Sequence, residues 1–443
     1  MHASQVRPYL RGFAVAAVLL LCACGEHAKL PESAGMGPKP TLPSPHETFI
    51  PTIKFASAIG WPHSSHPTPA AGLTVNAFAQ GLAHPRRPYV LPNGDVLVAE
   101  TDSPPKPDDE KGLRGFVQGM IKKMVGSDTP SPNRIVLLRD TNGDGVAETH
   151  SVFISGLNSP FGMVLVGDDL YVADTDAVLR FHYTPGATKI DGRGEKVTEL
   201  PAGTINHHWT KDLTASRDGS RLYATVGSNS NAAENGLAVE QGRAAVWEID
   251  RKNGAHRIFA SGLRNPNGPS WAPGTNTLWV AVNERDEIGS DLVPDYITSV
   301  KDGGFYGWPF SYYGNRVDTR AKPQNPTLVA TAIVPDYAVG NHVAALGLAF
   351  ADGAKLGPQF SKGAFVSEHG SWNRDPLSGY KVVFVPFANG KPSGMPVDVL
   401  TGFLSPEGKA QGRPVAVAID KSGALLVADD VGNTVWRVSA ARD

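Results

Sequence analysis

A short phrase that recurs six times is the strongest constraint on the fold of this 443-residue chain. Each copy begins with a turn built on Gly, Asp or Asn and continues as an apolar-alternating strand that ends in a small or acidic residue. A second strand with a charged or polar residue near its end follows several copies, at 177–181, 245–249 and 433–438. The six copies occupy residues 92–100, 167–174, 218–227, 274–282, 360–368 and 422–429. Self-similarity of this kind indicates a repeat architecture.

The repeats predict an all-β, six-bladed β-propeller. A four-stranded twisted blade cannot bury both of its faces alone, so blades stack around a channel and deliver strand-end side chains to its mouth. An antiparallel sandwich is the alternative, but the similar phrases and the scarcity of helical periodicity favour the propeller. We therefore expect a propeller over residues 61–443, with its functional residues close to the axis.

One segment departs from the strand pattern. Residues 111–125 carry apolar side chains at near-helical spacing with basic residues between them, which predicts a short amphipathic helix inserted in the first blade. Such a helix could touch a membrane surface or a partner. A helix that covers one end of the propeller is the simpler interpretation.

The first residues have the pattern of an export signal. Arg7 and Arg11 precede an apolar run over residues 13–21, which is too short for an ordinary membrane span. The run ends in Leu-Cys-Ala-Cys-Gly, which resembles a bacterial lipobox and predicts a signal peptide over residues 1–23 and lipidation of Cys24. A plain secretory signal cleaved near the same place is the alternative. Either way we expect export, and with the lipid anchor we expect the periplasmic side of a bacterial membrane, the outer membrane being favoured.

Composition narrows the possibilities for the rest of the chain. Residues 24–60 are rich in Pro, Ser, Gly and His, which predicts a flexible tether. Cys22 and Cys24 are the only cysteines, so the mature fold has no internal disulfide, thiol catalysis or Cys-ligated zinc. The formal net charge of -2 provides no field to gather nucleic acid, and we expect none to bind. The lipid anchor is then the only expected contact with a membrane.

A loop for a hard cation is predicted between two strands. Residues 140–148 place oxygen-bearing side chains at alternate positions, with Gly145 at the sharp turn, as calcium requires. The twelfth position is Ser151, so the loop is not a full EF-hand, and a turn without metal is the alternative. The candidate ligands of a structural calcium ion are Asp140, Asn142, Asp144 and Glu148.

Two neighbouring histidines precede the third repeat. His208 stands where an inner strand begins, and the near-neutral pKa of histidine suits a general base that takes a hydroxyl proton while hydride leaves the adjacent carbon. A structural His-His pair is the alternative. Arg264, Arg374 and Arg413 lie at strand ends of other repeats, and their convergence on the axis would suit a planar polycarboxylate held bidentately.

Four short motifs carry a resemblance to a known family. They are Leu-Arg-Asn-Pro-x-Gly at 263–268, Asn-Glu-Arg-Asp at 283–286, Tyr-Gly-Trp-Pro at 306–309 and His-Gly-Ser-Trp-Asn-Arg at 369–374. With them, residues 70–440 resemble the soluble, propeller-type sugar dehydrogenases that use pyrroloquinoline quinone (PQQ), most closely their sorbosone dehydrogenase-like branch. The resemblance implies oxidation of a sugar, a sorbosone-like sugar aldehyde or a polyol, with PQQ and calcium as cofactors.

The resemblance also implies roles for individual residues. His208 is then the base that removes the substrate's hydroxyl proton as hydride passes to the quinone. Arg264 and Asn265 contact the quinone oxygens, while Arg413 and Arg374 hold the cofactor carboxylates. The family has a lysine on the fifth blade, and only Arg374 or His369 offers a match for it here, which makes His369 a further cofactor-binding candidate.

The cofactor's calcium is expected at the backbone carbonyls of Glu284 and Arg285, which replace a Gly-Pro pair of the family. Gly-Ser-Asn-Ser-Asn at 227–231 replaces the family's acidic residue that orients the base, so either Ser228 orients it weakly or another group does so. No haem-attachment motif occurs, so electrons would pass to an external acceptor, a cytochrome or a quinone. A calcium-dependent lactonase-type hydrolase and a non-catalytic binding propeller are the alternatives, and carboxylate-binding arginines favour the dehydrogenase.

Overall fold

The computed structural model describes residues 26–47, 52–62, 65–104 and 130–441. Nearly all of its regular structure is β-strand, arranged as antiparallel blades in a ring. The predicted six-bladed β-propeller is thus confirmed. Each repeated phrase supplies the second strand of one blade, because its alternating apolar residues are buried between neighbouring blades.

The first three blades follow one another along the chain. From the axis outward, blade 1 contains Pro85–Val90, Val96–Glu100, Arg134–Arg139 and Thr149–Ser155. Blade 2 contains Met163–Val166, Asp169–Ala173, Ala177–His182 and Glu195–Glu199. Blade 3 contains Leu213–Ala215, Arg221–Val226, Ala245–Asp250, His256–Ser261 and the parallel strand Gly304–Phe305.

The other three blades also recruit strands from the N-terminal region. Blade 4 contains Pro266–Trp271, Leu278–Val282, Pro294–Val300, Tyr337–Asn341 and Met36–Gly37. Blade 5 contains Ala345–Phe350, Gly363–Glu368, Lys381–Ala388, Val397–Thr401 and Thr68–Pro69, with Lys391–Pro392 paired beside its third strand. Blade 6 contains Pro414–Ile419, Leu425–Asp429, Thr434–Ala440 and Leu73–Gln80.

The remaining described elements are short. A small hairpin pairs Ser311–Tyr312 with Arg316–Val317. One turn of α-helix spans Pro326–Val329, and the Asn325 side chain caps it by accepting from the Leu328 amide. Turns of 3-10 helix span Glu32–Gly35, Leu237–Glu240 and Pro358–Phe360.

The first strand of each blade lies nearest the axis and contacts the first strand of a neighbouring blade. Since successive strands are antiparallel, first strands begin and second strands end at the same end of the ring. This end is called the mouth below. The loops that follow the second strands therefore meet at the mouth, which is also where His208 and the three predicted arginines lie.

Apolar packing between neighbouring blades holds the ring together. One apolar cluster occupies each junction within the described residues; at the junction of blades 6 and 1, Val98 packs with Leu426 and Val435. Both faces of each blade are covered in this way. At about 25 cal/mol per Å² of buried apolar surface, these junctions supply the main stabilisation of the fold.

The ring is closed by the first long strand of the propeller. Leu73–Gln80 pairs antiparallel with Thr434–Ala440, so blade 6 combines the two ends of the propeller. Trp436 lies in this pair and is 2% exposed. Its Nε1 donates to Asp429 Oδ2 at 3.0 Å, and its ring packs edge-on against Trp61, with centroids 5.3 Å apart.

The segment predicted to be a flexible tether differs from that expectation. Its described part, residues 26–47 and 52–62, is called the N-terminal strap below; it contacts the mouth loops of blades 4 to 6 and adds Met36–Gly37 to the outer edge of blade 4. The Lys29 amide donates to Asp291 Oδ2 at 2.7 Å, and the Trp61 indole donates to Asp429 at 2.7 Å. Because these donors find acceptors on the propeller, the described strap is not a free linker despite its composition.

Two predicted features lie outside the described residues. They are the signal peptide over 1–23 with lipidated Cys24, and the amphipathic helix over 111–125. Among the residues that are described, no helix is both long enough and apolar enough to cross a membrane.

Substitution of Trp436 tests the ring closure. Trp436→Ala removes a buried indole and one donor to Asp429, so we expect the free energy of unfolding to fall by about 3–5 kcal/mol. Trp436→Phe keeps most of the packing, and a fall of about 1 kcal/mol is expected from the lost hydrogen bond. Denaturant unfolding followed by circular dichroism checks both values. Equal losses in the two variants would contradict a packing role for the indole.

Candidate functional site

His208 lies at the mouth in the segment that leads into blade 3. Its Nδ1 is 2.9 Å from Ser228 Oγ and 3.0 Å from the Ser228 carbonyl oxygen. The Ser228 hydroxyl donates its own hydrogen to the Ser230 carbonyl oxygen at 2.6 Å. Nδ1 must therefore carry a hydrogen and donate it to Ser228. In the neutral imidazole this leaves Nε2 as the lone-pair nitrogen.

The surroundings of His208 keep its imidazole neutral. Burial lowers the pKa of His208 well below the ordinary 6.5, and the charges of Arg264 and His207 lower it further. The hydrogen bond to the Ser228 carbonyl opposes this shift. At neutral pH the side chain is thus a base with an available Nε2.

Asn265 borders His208 on the other side of Gly227. An added Cβ at Gly227 would lie 2.4 Å from His208 Cβ and 2.6 Å from Asn265 Oδ1, so only glycine fits between them. Asn265 is buried, and its Oδ1 has no hydrogen-bond partner among the described residues. A buried polar atom without a partner is costly, so Asn265 keeps an unused acceptor beside His208.

The guanidinium of Arg264 is buried and is held from several sides. Its Nη2 donates to Asn231 Oδ1 at 2.9 Å and to Asp286 Oδ2 at 3.2 Å. Its Nε donates to the Asn231 carbonyl oxygen at 3.2 Å, and its Nη1 donates to the Glu284 carbonyl oxygen at 2.6 Å. Arg264 therefore fixes the loops that follow the second strands of blades 3 and 4.

Glu284 and Arg285, the two residues expected to bind the cofactor calcium, both take part in other contacts. The Glu284 carbonyl accepts from Arg264, so a calcium ion on this oxygen would lie against the guanidinium, and the Glu284 carbonyl does not fit that role in this arrangement. The fully buried Arg285 side chain donates to Asp318 Oδ2 at 3.0 Å and to the Ser311 carbonyl at 2.7 Å. It stabilises the loop after the Tyr-Gly-Trp-Pro motif, and metal binding by the Arg285 carbonyl stays a prediction.

Sequence reasoning did not find the residues that hold Arg264. Asp286 accepts from Arg264 and also from Asn373 Nδ2 at 2.7 Å, and His342 Nδ1 lies 3.4 Å from Asp286 Oδ1. Burial alone would raise the pKa of Asp286, but the hydrogen bond from His342 and the charge of Arg264 lower it. Asp286 and Asn373 belong to motifs quoted above, yet their partners lie in distant parts of the chain and cannot be seen in the motif.

Arg413 is a buried cation without an ion pair in the described part of the chain. It is 5% exposed; its Nε donates to the His369 carbonyl at 3.0 Å and its Nη2 to the Gly370 carbonyl at 2.7 Å. Its guanidinium carbon lies 5.3 Å from the centre of the Tyr380 ring. A buried guanidinium that contacts only carbonyls and a ring favours an anionic ligand, and a carboxylate has the matching geometry.

The His369 ring is hydrogen-bonded to the carboxylate of Asp430. Its Nε2 lies 2.9 Å from Asp430 Oδ2, which also accepts from Arg86 Nη1 at 2.6 Å. Burial and the charge of Arg413 lower the pKa of His369 to about 4, so the ring is neutral and donates to Asp430. A contact of His369 with a cofactor stays a prediction.

Arg374 contacts a different set of mouth loops. Its Nε donates to the Ser290 carbonyl at 3.0 Å and its Nη1 to the Pro376 carbonyl at 2.8 Å. Its Nη2 lies 3.8 Å from Asp291 Oδ1. The three predicted arginines thus all lie at the mouth, but each is held by other loops. Their convergence on one ligand stays a prediction.

A buried lysine supports the segment that carries His208, and sequence reasoning assigned it no role. Lys211 has no exposed surface, and its Nζ donates to the Trp209 carbonyl at 3.1 Å and lies 3.5 Å from the His208 carbonyl. Burial lowers the pKa of Lys211 well below its ordinary value. The lysine therefore fixes the backbone from which the His208 ring extends.

The predicted calcium loop lies at the opposite end of the ring, between the third and fourth strands of blade 1. One carboxylate oxygen from each of Asp140, Asp144 and Glu148 lies within 4.8 Å of the others. Asn142 Nδ2 donates to Asp144 Oδ2 at 3.1 Å. The carboxylates also accept from backbone amides of the same loop, as a turn without metal would. Calcium binding here stays a prediction.

Family models match most of the chain. A model described as "Domain of unknown function (DUF7133)" matches residues 82–371, and a model described as "TrAA12-like" matches residues 317–441. A curated relative, an uncharacterized protein of Borreliella burgdorferi, is 27% identical over 245 residues, which are 54% of this chain and 62% of the relative. The match thus spans less than two thirds of that relative.

Solved structures share the propeller fold. A calcium structure of a Trichoderma reesei enzyme of Carbohydrate-Active Enzymes Family AA12 has a TM-score of 0.68 and 17% identity, covering 88% of this chain and 98% of that chain. The holo PQQ domain of Coprinopsis cinerea pyranose dehydrogenase has a TM-score of 0.67 and 20% identity, covering 87% of this chain and 100% of that chain. PQQ-bound aldose sugar dehydrogenase from Streptomyces coelicolor has a TM-score of 0.53 and 15% identity, covering 84% of this chain and 99% of that chain. The predicted resemblance is confirmed for the fold, and the sorbosone-like branch stays a prediction.

Calcium titration tests the blade 1 loop. If the loop binds calcium, the ion stabilises the folded state by about 2.7 kcal/mol at a concentration a hundred times the Kd, and the melting temperature rises. Asp144→Asn should abolish this rise. Asp168→Asn, at an exposed turn of the same end of the ring, is the matched control and should keep it. No rise in the unsubstituted protein, or an equal rise in both variants, would exclude this site.

Proposed function

The chain belongs to the DUF7133 family, and we propose that it oxidises a sugar, a sorbosone-like sugar aldehyde or a polyol at the propeller mouth, with PQQ as the hydride acceptor. The observation that carries the proposal is the state of His208. Its Nδ1 hydrogen is fixed on Ser228, its pKa is lowered, and its Nε2 is left to accept a proton. This is the state that a general base for alcohol oxidation requires.

The charge around the mouth supports a planar polycarboxylate as the bound cofactor. Arg413 is buried and lacks an ion pair within the described residues, so a PQQ carboxylate would supply its missing counter-ion. Asn265, with an unpartnered Oδ1 beside His208, would lie at the reacting side of the cofactor. The PQQ-containing neighbours named above have the same fold, which makes this cofactor the first to test.

PQQ, when bound, supplies a two-electron acceptor for hydride. The substrate's hydroxyl proton passes to His208 Nε2, and the carbon that bears the hydroxyl loses hydride, so a carbonyl product forms. An aldehyde substrate would react as its hydrate, which carries the same CH–OH group. The positive charge of Arg264 near His208 disfavours the imidazolium and so promotes release of the proton to solvent.

Calcium at the cofactor is proposed to bind through only one of the two expected carbonyls. The Glu284 carbonyl accepts a hydrogen bond from Arg264, so no step is assigned to a metal ion on that oxygen. A calcium ion held through the Arg285 carbonyl remains part of the proposal. Asp286, Asn231 and Asn373 act as positioning residues, because they hold the Arg264 guanidinium in place.

The proposal extends to the location of the protein and its electron acceptor. The lipobox-like sequence ending at Cys24 supports acylation of that residue and attachment on the periplasmic side of a bacterial membrane, with the outer membrane favoured. The absence of a haem-attachment motif in the sequence supports transfer of electrons from the reduced cofactor to an external cytochrome or quinone.

Reconstitution tests the proposed reaction. The purified protein is incubated with PQQ, with calcium or with a chelator, and dye reduction is followed with aldoses, sorbosone and polyols. We expect PQQ-dependent dye reduction that falls by about 10²–10⁴-fold in His208→Ala, the range for loss of a general base. His182→Ala, at an exposed histidine of blade 2, is the control and should retain activity. Failure of PQQ to bind would overturn the proposal and bring the lactonase and binding-module alternatives forward.

The pH dependence of the reconstituted activity reports on His208. The neutral base is lost as the pH falls through its pKa, which lies below 6.5. We therefore expect kcat/KM to stay constant from neutral pH to below 6.5 and then to fall about tenfold per pH unit. An acid limb centred above pH 7 would contradict the lowered pKa and the assignment of His208.

A further inference from the structure

We infer that the mouth of the propeller faces a lipid surface, because the strap holds the anchor point beside the candidate site. The inference rests on the acylation of Cys24 that forms part of the proposed function. It adds an orientation and an interaction surface, which acylation alone does not specify. A flexible tether of the predicted length would leave the propeller free to turn in any direction.

Glu26, two residues after Cys24, is held on the loop that follows the second strand of blade 4. Its carbonyl oxygen accepts from Ser290 Oγ at 2.7 Å and from Thr52 Oγ1 at 3.1 Å. Its carboxylate lies 3.4 Å from His46 Nδ1 and 3.1 Å from Lys29 Nζ. The same loop contains Asp286, the acceptor of Arg264, so this end of the strap lies next to the candidate site.

The following residues of the strap prevent it from lifting away. The amides of Lys29 and Leu30 both donate to Asp291 Oδ2, at 2.7 and 3.1 Å. The Ala28 amide donates to the Asp375 carbonyl at 2.7 Å. Further along, the Lys54 amide donates to the Trp372 carbonyl at 3.0 Å. These contacts tie the strap to the mouth loops of blades 4 and 5.

The covalent chain then limits the distance of the anchor from the mouth. Two residues span at most about 7 Å, so the Cα atom of Cys24 lies within about 7 Å of that of Glu26. A free linker over residues 24–60 would instead have a root-mean-square span of roughly 35 Å. Acyl chains on Cys24 enter a bilayer within this short reach, so the mouth end of the ring must lie at the headgroups. The opposite end, with the turns of residues 252–254 and 389–390, points away.

With the mouth against a lipid surface, the candidate site faces the membrane. Substrate reaches the mouth along the membrane surface rather than from the bulk directly above it. The external electron acceptor of the proposed reaction must also approach at the membrane surface. The lipid surface is therefore the partner of this face of the protein.

Fluorescence quenching in vesicles tests the orientation. Cys22 and Cys24 are the only cysteines, and in the acylated protein Cys22 is removed and the Cys24 thiol is blocked, so one introduced cysteine labels a single site. Lys29→Cys places a fluorophore at the mouth and Lys252→Cys places it at the opposite end; both lysines are exposed. With the acylated protein in phosphatidylcholine vesicles that carry headgroup-spin-labelled lipid, we expect most of the Lys29→Cys emission to be lost and the Lys252→Cys emission to be retained.

A lengthened anchor provides the matched control. A 20-residue Gly-Ser insertion between Gly25 and Glu26 should keep the protein on the vesicles but restore the Lys29→Cys emission. Equal quenching at both labels, or no effect of the insertion, would overturn the orientation. Cys24→Ala lacks the acylation site and should not bind the vesicles. If the unsubstituted protein does not bind them either, the acylation and the inference both fail. Dye reduction measured in detergent reports separately on the proposed reaction, since it needs no bilayer.

Discussion

The pairing of Leu73–Gln80 with Thr434–Ala440 closes the ring of blades. Each blade buries its faces only against its neighbours, so an open row of blades would expose apolar surface at both ends. Closure joins blade 6 to blade 1 and brings the loops after all second strands to one mouth. Residues as distant in sequence as Arg86 and Asp430 then lie 2.6 Å apart. The candidate site is thus a product of ring closure and belongs to no single repeat.

The buried charges at the mouth are held mainly by backbone carbonyls and amides. Loops that follow second strands are fixed by arginine side chains that donate to their carbonyl oxygens. The donors are Arg264, Arg374 and Arg413. Charged groups in such surroundings are costly unless their hydrogen bonds are satisfied. Arg413 lacks a carboxylate among the described residues, and Asn265 Oδ1 lacks a partner. Asn265 lies beside His208 across Gly227, whereas Arg413 contacts the loop that follows the second strand of blade 5.

The sequence predicted the fold because each second strand has its own local signal of a turn followed by alternating apolar residues. His208 and Arg264 could be chosen from their motifs, but the hydrogen bonds that define their states could not. The tautomer of His208 depends on the Ser228 hydroxyl donating to Ser230, and the Glu284 carbonyl is taken by a guanidinium from another loop. The strap was mistaken for a tether because Pro, Ser and Gly are typical of linkers. Its acceptors, such as Asp291, lie more than two hundred residues away in the chain.

The proposed reaction depends on His208 being a neutral base with a hydrogen on Nδ1 and a lone pair on Nε2. Nitrogen-15 NMR of the histidine side chains, with His208→Ala to assign the signal, tests it most directly. We expect a protonated Nδ1 and an unprotonated Nε2 at neutral pH, with titration below pH 6.5. An imidazolium at neutral pH, or a hydrogen on Nε2 instead of Nδ1, would contradict it.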